Sequence, residues 1–273
     1  MSKLRLISGA FVSVLFVCNL QLSGQLANGG TASSALQANS SDPARAAIEK
    51  SITSMGGEAW ASVGAASTQV TTTYPSENAK PVYRKQSDDW SRDGLSRRDE
   101  VVIASTDPNK PTSQGAVIVA QGGARLRKSV SGKLSITSRG YDLSDLAVAY
   151  PAVALRFALQ RKECSADIVT VDSSGTTIIR QTCIAKGIPG NQVHFIWSID
   201  KSGLPIQVEF PNLSGDGKNV LYTTAVFREF QHVQALTVPT AVDIRLGNTV
   251  LHTMTFAAPT FSANLPDSLF SLR

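Results

Sequence analysis

The residue types that could carry chemistry in this chain are few and scattered. His194, His232 and His252 are its three histidines, the side chains best suited to general-base work near neutral pH. Each lies in or beside a segment with strand alternation, none has a second histidine at metal-ligand spacing, and no Gly-x-Ser-x-Gly nucleophile elbow occurs. Asp88-Asp89 and Asp99-Glu100 are paired carboxylates in sequence only, because adjacent residues on a strand point to opposite faces. Gly122-Gly123 and Gly215-Asp216-Gly217 lack the helix that a phosphate-cradling loop requires and read as hairpin turns. A structural or surface role is expected for each histidine, with no catalytic constellation, no metal site and no cofactor. A hydrolase using His194 or His232 ranks last among the readings.

The cysteines offer a different chemistry. Between Cys164 and Cys183 the turn Asp172-Ser173-Ser174-Gly175 is flanked by Ile168-Val169-Thr170-Val171 and Thr176-Thr177-Ile178-Ile179. A hairpin centred on Ser173-Ser174 places position 164 opposite 183, so an oxidising compartment would close a cross-strand disulfide, its Cα atoms within roughly 4.4–6.8 Å. A metal site at either cysteine is not expected, since neither has a ligand neighbour at suitable spacing.

An oxidising compartment is also what the first residues predict. Lys3 and Arg5 precede the apolar run from Leu6 to Val17, too short for a spanning helix and right for a secretory signal cleaved near Ser23-Gly24, giving a signal peptide over 1–24. Cys18 stands where a bacterial lipoprotein carries its acylated cysteine, but Phe16-Val17 occupy positions where a lipobox wants a small residue, so lipid anchoring is the weaker reading. Loss of Lys3 and Arg5 takes the net charge from +5 to +3, ordinary for a soluble protein. The basic clusters Arg92, Arg97, Arg98 and Arg125, Arg127, Lys128 lack base-stacking aromatics, which argues against a nucleic-acid partner.

The elements that would position these residues follow from composition and period. Residues 25–41, rich in Ala, Ser, Gly, Asn and Gln, read as a flexible tether, and 42–273 as one β-rich domain. An Asx cap at Asp42 followed by Pro43 opens a helix whose stripe is Ala44, Ile48, Ile52 and Met55, stopped at Gly56-Gly57. Gln69 to Tyr74 is the first strand; Val82 to Trp90, Arg97 to Ser105, Gly115 to Ala120 and Arg125 to Val130 continue as a meander. Helical spacing returns at Leu143, Leu146, Ala147 and Tyr150, and Pro151 starts a second piece through Phe157 and Leu159. Strands then resume through the cysteine hairpin, Val193 to Ile199, Ile206 to Phe210, Val220 to Phe230, Ala241 to Leu246 and Val250 to Phe256, roughly eleven or twelve in all, with no βαβ alternation. The fold class is mainly β (α+β): a large curved antiparallel sheet or open half-barrel with two helical regions packed on its concave side.

What remains for function is apolar. Trp90, Phe195, Trp197, Phe210 and Phe227 recur on the strands, with Leu146 and Phe157 on the middle helices. They either fill a core or line a cavity for a lipid or acyl chain, and these seven are the candidate ligand-binding residues. The leading reading is a non-catalytic periplasmic or secreted protein, a monomer, that binds or carries a lipid, acyl chain or other apolar small molecule. The alternative is an envelope structural or interaction module, surface-attached or not, whose partner is another envelope protein.

The run Ile199-Asp200-Lys201-Ser202-Gly203-Leu204-Pro205, the ending Leu265-Pro266-Asp267-Ser268-Leu269-Phe270, the early helix and the interrupted meander resemble the periplasmic lipoprotein carriers of the Lol type and related lipid-binding half-barrels. The resemblance implies a Gly-Leu-Pro turn leading into a strand of the convex sheet and a closing phrase that fastens the last strand. The carriers' functional arginine has four competing counterparts here, Arg84, Arg92, Arg97 and Arg98.

Overall fold

The helix stripe read from the sequence is the first layer of the core. In the computed structural model α1 spans Asp42–Ser54 and buries Ala44, Ile48 and Ile52, with Met55 buried just beyond its end. Its start differs from expectation in one detail. Asp42 is already helical, Ser41 is the N-cap residue, and no side chain caps the helix; Pro43 in the first turn, with φ preset and no N–H to satisfy, opens it instead. The Gly56-Gly57 stop is as read: both have positive φ, and a Cβ at Gly56 would stand 2.6 Å from the Ala235 carbonyl. The structure describes residues 41–75, 82–91, 96–103, 114–121, 124–129, 131–138, 142–184, 192–213, 220–266 and 268, all in one compact unit.

A short helix α2 (Ala59–Ser62) follows, formed around Trp60, which sits edge-on to Tyr150 and Phe261 at 6.4 and 5.5 Å. The strands are β1 (Ala65–Tyr74), β2 (Val82–Ser91), β3 (Ser96–Ile103), β4 (Gln114–Gln121), β5 (Ala124–Ser129), β6 (Leu134–Ser138), β7 (Cys164–Val171), β8 (Thr177–Ile184), β9 (Gln192–Ile199), β10 (Pro205–Leu213), β11 (Val220–Val233), β12 (Leu236–Leu246), β13 (Thr249–Phe256) and β14 (Thr260–Ser262). Fourteen strands among the described residues exceed the eleven or twelve expected. The sequence reading passed over β6 and the three-residue β14. Strands β10 and β12 also reach beyond the expected 206–210 and 241–246, taking in Pro211 and Pro239. Both prolines lie inside strands, Pro239 beside a register shift opposite Phe230.

The sheet is antiparallel and does not close. Two meanders, β1 to β6 and β7 to β13, are joined by β1 pairing with β13, so the strand order ends in β6 on one side and β7 on the other. These two edges are consecutive in the chain. What links them is the helical pair α3 (Asp142–Ala149) and α4 (Pro151–Gln160), split at Pro151 as the sequence indicates. The helices pack together and onto β7, β8, β10 and β12, so the sheet's helical cover lies over its C-terminal strands.

Candidate functional site

Strand alternation decides which side chains meet the helices. On β9, Val193, Phe195, Trp197 and Ile199 are buried; on β8, Ile179, Gln181 and Cys183. Register sets these residues in rows. One runs Ile168, Ile179, Trp197, Val208, Ala225, Ile244, His252 from β7 to β13, and another Ala166, Gln181, Phe195. A third joins Phe227, Val242, Met254 and Thr72. Opposite them stand Ala154, Leu155 and Ala158 of α4, Leu143, Leu146 and Ala147 of α3, and the α1 stripe, all buried in the same cluster. Ala152, Ala154 and Ala158 are half of the buried residues of α4, which lets the helix approach β7 and β8 closely.

Of the seven candidate ligand-binding residues, the structure brings five into this cluster. Phe195 and Trp197 have no exposed surface, and Leu146, Phe210 and Phe227 are buried at 6–7% exposure. Phe227 also contacts the partly buried Phe230 at 5.7 Å between ring centres. Phe157 is only half-buried, near the C-terminal end of α4, where the Arg161 guanidinium lies 4.0 Å over its ring. Trp90 stands at the register position opposite Ala66, and its side chain lies outside the described residues.

Polar groups in the interior are sparse, and one cluster was missed by the sequence reading. The Trp197 indole N–H donates to Gln181 Oε1 at 2.9 Å. Gln181 Nε2 donates to the Ala154 carbonyl of α4 at 3.4 Å and approaches Cys183 Sγ at 3.6 Å. The signal was available: period two on β8 puts 179, 181 and 183 on one face, so a buried Cys183 requires a buried Gln181. Cys164 and Cys183 form the expected disulfide, their Cα atoms 4.1 Å apart, just below the short end of the predicted window, and neither is more than 2% exposed.

The remaining titratable groups are tied down singly. The ring of His194 shares a hydrogen bond with the Thr182 hydroxyl at 3.0 Å, and burial, with Arg180 nearby, lowers its pKa below 6.5. His232 Nδ1 meets the Thr237 hydroxyl at 2.9 Å, and His252 packs on Tyr74 with ring centres 5.2 Å apart. Asp243 is buried; burial alone would raise its pKa, but the Thr253 hydroxyl, Arg245 and Arg228 outweigh that and hold it below 3.8. The paired carboxylates fall on β2 and β3, where the register sets Asp88 opposite Arg98 and Asp89 opposite Arg97. Among the described residues no group of three histidines, cysteines or carboxylates could hold a metal.

No family model matches the chain, and no curated protein matches it in sequence. Solved structures do match in fold. It is similar to a LolA superfamily protein from Nitrosomonas europaea at 14% identity, with a TM-score of 0.54 over 84% of this chain and 97% of that one. A DUF1329 family protein from Desulfovibrio piger is similar at 10% identity and a TM-score of 0.51, covering 85% and 98% of the two chains. A domain described as an outer membrane lipoprotein-sorting protein, from Vibrio parahaemolyticus, gives 10% identity and a TM-score of 0.50 over 84% and 96%. At these identities the likeness is one of fold, and the described part of this chain has the open, helix-plugged antiparallel sheet of the Lol type.

Proposed function

We propose that this chain is an exported, non-catalytic carrier that binds a lipid, acyl chain or other apolar ligand between its helices and the inner face of its sheet. The observation that carries the reading is the way this face is covered. A row that is apolar from Ile168 to Ile244 crosses β7 to β12, and its cover consists of helices that share side-chain packing with the sheet but no strand ladder. Withdrawal of α4 and α3 would expose this row and leave the sheet's backbone hydrogen bonds intact. A lipoprotein-sorting domain among the proteins of similar fold supports the same ligand class. The candidates Trp90, Leu146, Phe157, Phe195, Trp197, Phe210 and Phe227 are assigned to this site, and the ligand is passed to or received from another envelope protein.

Export accompanies this function. The buried disulfide suits an oxidising compartment, residues 1–24 act as a cleaved signal, and 25–41 tether the β-rich domain at 42–273. Native mass spectrometry of protein purified from its own compartment tests the proposal. A co-purifying apolar adduct, or displacement of a fluorescent apolar probe by lipids, is the expected result. Consistent absence of both overturns it.

A further inference from the structure

Gln181 is out of place in the covered face unless its amide has a use there. Its side chain has no exposed surface, it lies between Ala166 and Phe195 in register, and it is the one amide side chain among the buried residues described. The two ends of the amide are unequally served. Its oxygen accepts a good hydrogen bond from the Trp197 indole at 2.9 Å. Its NH2 group has only poor acceptors: the Ala154 carbonyl at 3.4 Å, which sits inside a helix and belongs to the i to i+4 ladder, and a disulfide sulfur at 3.6 Å. A buried amide donor costs stability when it is under-used, so an apolar residue at 181 would suit a merely structural core better.

We infer that Gln181 is the polar anchor of the proposed ligand site, its NH2 group donating to the uncharged carbonyl oxygen of an acyl ester or amide. This rests on the apolar-ligand reading and deepens it. Trp197 fixes the orientation, because with Oε1 held by the indole the NH2 group is turned toward α4, where a ligand entering beneath that helix replaces Ala154 as its acceptor. Phe195 pairs with Gln181 across the strands, and Ile179, Leu155 and Ala158 belong to the same buried cluster, which offers apolar surface for the chain. The buried charged residue among those described is Asp243, already engaged by Arg228, Arg245 and Thr253, so no described cation in the core stands ready for a carboxylate. An ionised fatty acid is therefore disfavoured against its ester.

The test is displacement of a fluorescent apolar probe from the mature protein by three ligands of equal chain length: a fatty acid methyl ester, the free acid and the n-alkane. Wild type is expected to prefer the ester to the alkane by about tenfold, the worth of one buried neutral hydrogen bond. The acid should gain affinity as pH falls and its carboxyl is neutralised. Gln181→Met should remove the ester preference and leave alkane affinity unchanged. The carbonyl infrared band of a 13C-labelled ester should move to lower wavenumber on binding wild type and not on binding the variant. Should Gln181→Met fail to fold by its melting curve, Gln181→Asn, which keeps the amide but withdraws it, carries the same comparison. Equal ester and alkane affinity in wild type, or an ester preference that survives substitution, overturns the anchor while apolar binding stands. Failure of all three ligands to displace the probe overturns the carrier reading and the anchor with it.

Discussion

The hairpins β7–β8 and β9–β10 carry the same loop and are secured by different means. In Asp172-Ser173-Ser174-Gly175-Thr176 and Asp200-Lys201-Ser202-Gly203-Leu204, the aspartate Oδ1 accepts from the N–H and hydroxyl of the serine two residues on and from the N–H four residues on. Each glycine takes positive φ to close the turn. There the likeness stops. The first hairpin is tied covalently at its open end by Cys164–Cys183, and a Cβ at Gly175 would meet only Lys201 Cβ at 3.5 Å. The second is pinned at its loop by α1, where Lys50 Nζ donates to the Lys201 carbonyl at 2.7 Å and Gly203 abuts Lys50 O and Ser54. A five-residue code makes the turn; tertiary contacts decide whether it is a free end or a seat for a helix.

The largest way to break this contrast is through α1. Ile48→Ala, at a position with no exposed surface, should cost about 3–4 kcal/mol and leave the β9–β10 loop more open than the β7–β8 loop. Urea unfolding measures the first effect and amide hydrogen exchange around Gly203 and Gly175 the second; equal exchange in both loops would remove the claim that α1 pins one of them. Next comes the covalent tie. Replacing Cys164 and Cys183 together by alanine opens a loop of 19 residues' separation, worth on the order of 3 kcal/mol, and should lower Tm by roughly 6–12 °C without abolishing the fold. An unchanged Tm would mean that the hairpin holds its ends together in the unfolded chain as well.

Smaller effects sharpen the comparison. Gly203→Ala combines positive φ with contacts of 3.0–3.2 Å to Ser54 and Lys50 and should cost about 2 kcal/mol; Gly175→Ala meets the φ penalty alone, about 1 kcal/mol. Thermal melts of the two variants side by side read the difference, and a reversed order contradicts the docking. The least effect is in acid. The Ser174 hydroxyl, then the Thr176 N–H, lower the pKa of Asp172; at Asp200 burial pulls upward but the Ser202 hydroxyl and the Leu204 N–H prevail. Both carboxylates sit below 3.8 in the folded state, so their contribution is present above that value and fades as pH falls through the lower folded pKa. Asp172→Asn and Asp200→Asn should each lower Tm slightly at neutrality and flatten its decline below about pH 4.

Much of the local order was legible because local chemistry dictates it. Asp-x-Ser-Gly, the cysteine spacing, the stripe Ala44-Ile48-Ile52 and the break at Pro151 each specify their element without help from distant residues. What escaped was set by tertiary context. Pro239 and Pro211 are tolerated inside long strands, and β14 exists only through its pairing with β1. The pairing of β1 with β13 has no signature of its own. Of the site, the aromatic positions could be read from alternation, but not which of them the helices cover, since Phe157 and Phe195 look alike in sequence and differ in depth. Gln181 passed unnoticed because a glutamine in a strand is ordinarily a solvated one. The predicted closing phrase lies partly beyond reach, as Asp267, Leu269 and Phe270 fall outside the described residues.

The seam between the two meanders has a consequence in time. Each meander is built from neighbours in the chain, and its hairpins can form as soon as their two strands exist. The seam is different: Thr68 donates to the Ala257 carbonyl across 189 residues, and Val70 pairs with Phe256. Such non-local closure is slow once made possible and impossible before the last strands emerge. A chain delivered across a membrane from its N-terminus would present β1 first and β13 almost last, so β1 waits through nearly the whole delivery with one backbone edge open. That interval is when a chain of this topology is most exposed to aberrant pairing, and when a holdase chaperone would have most to protect.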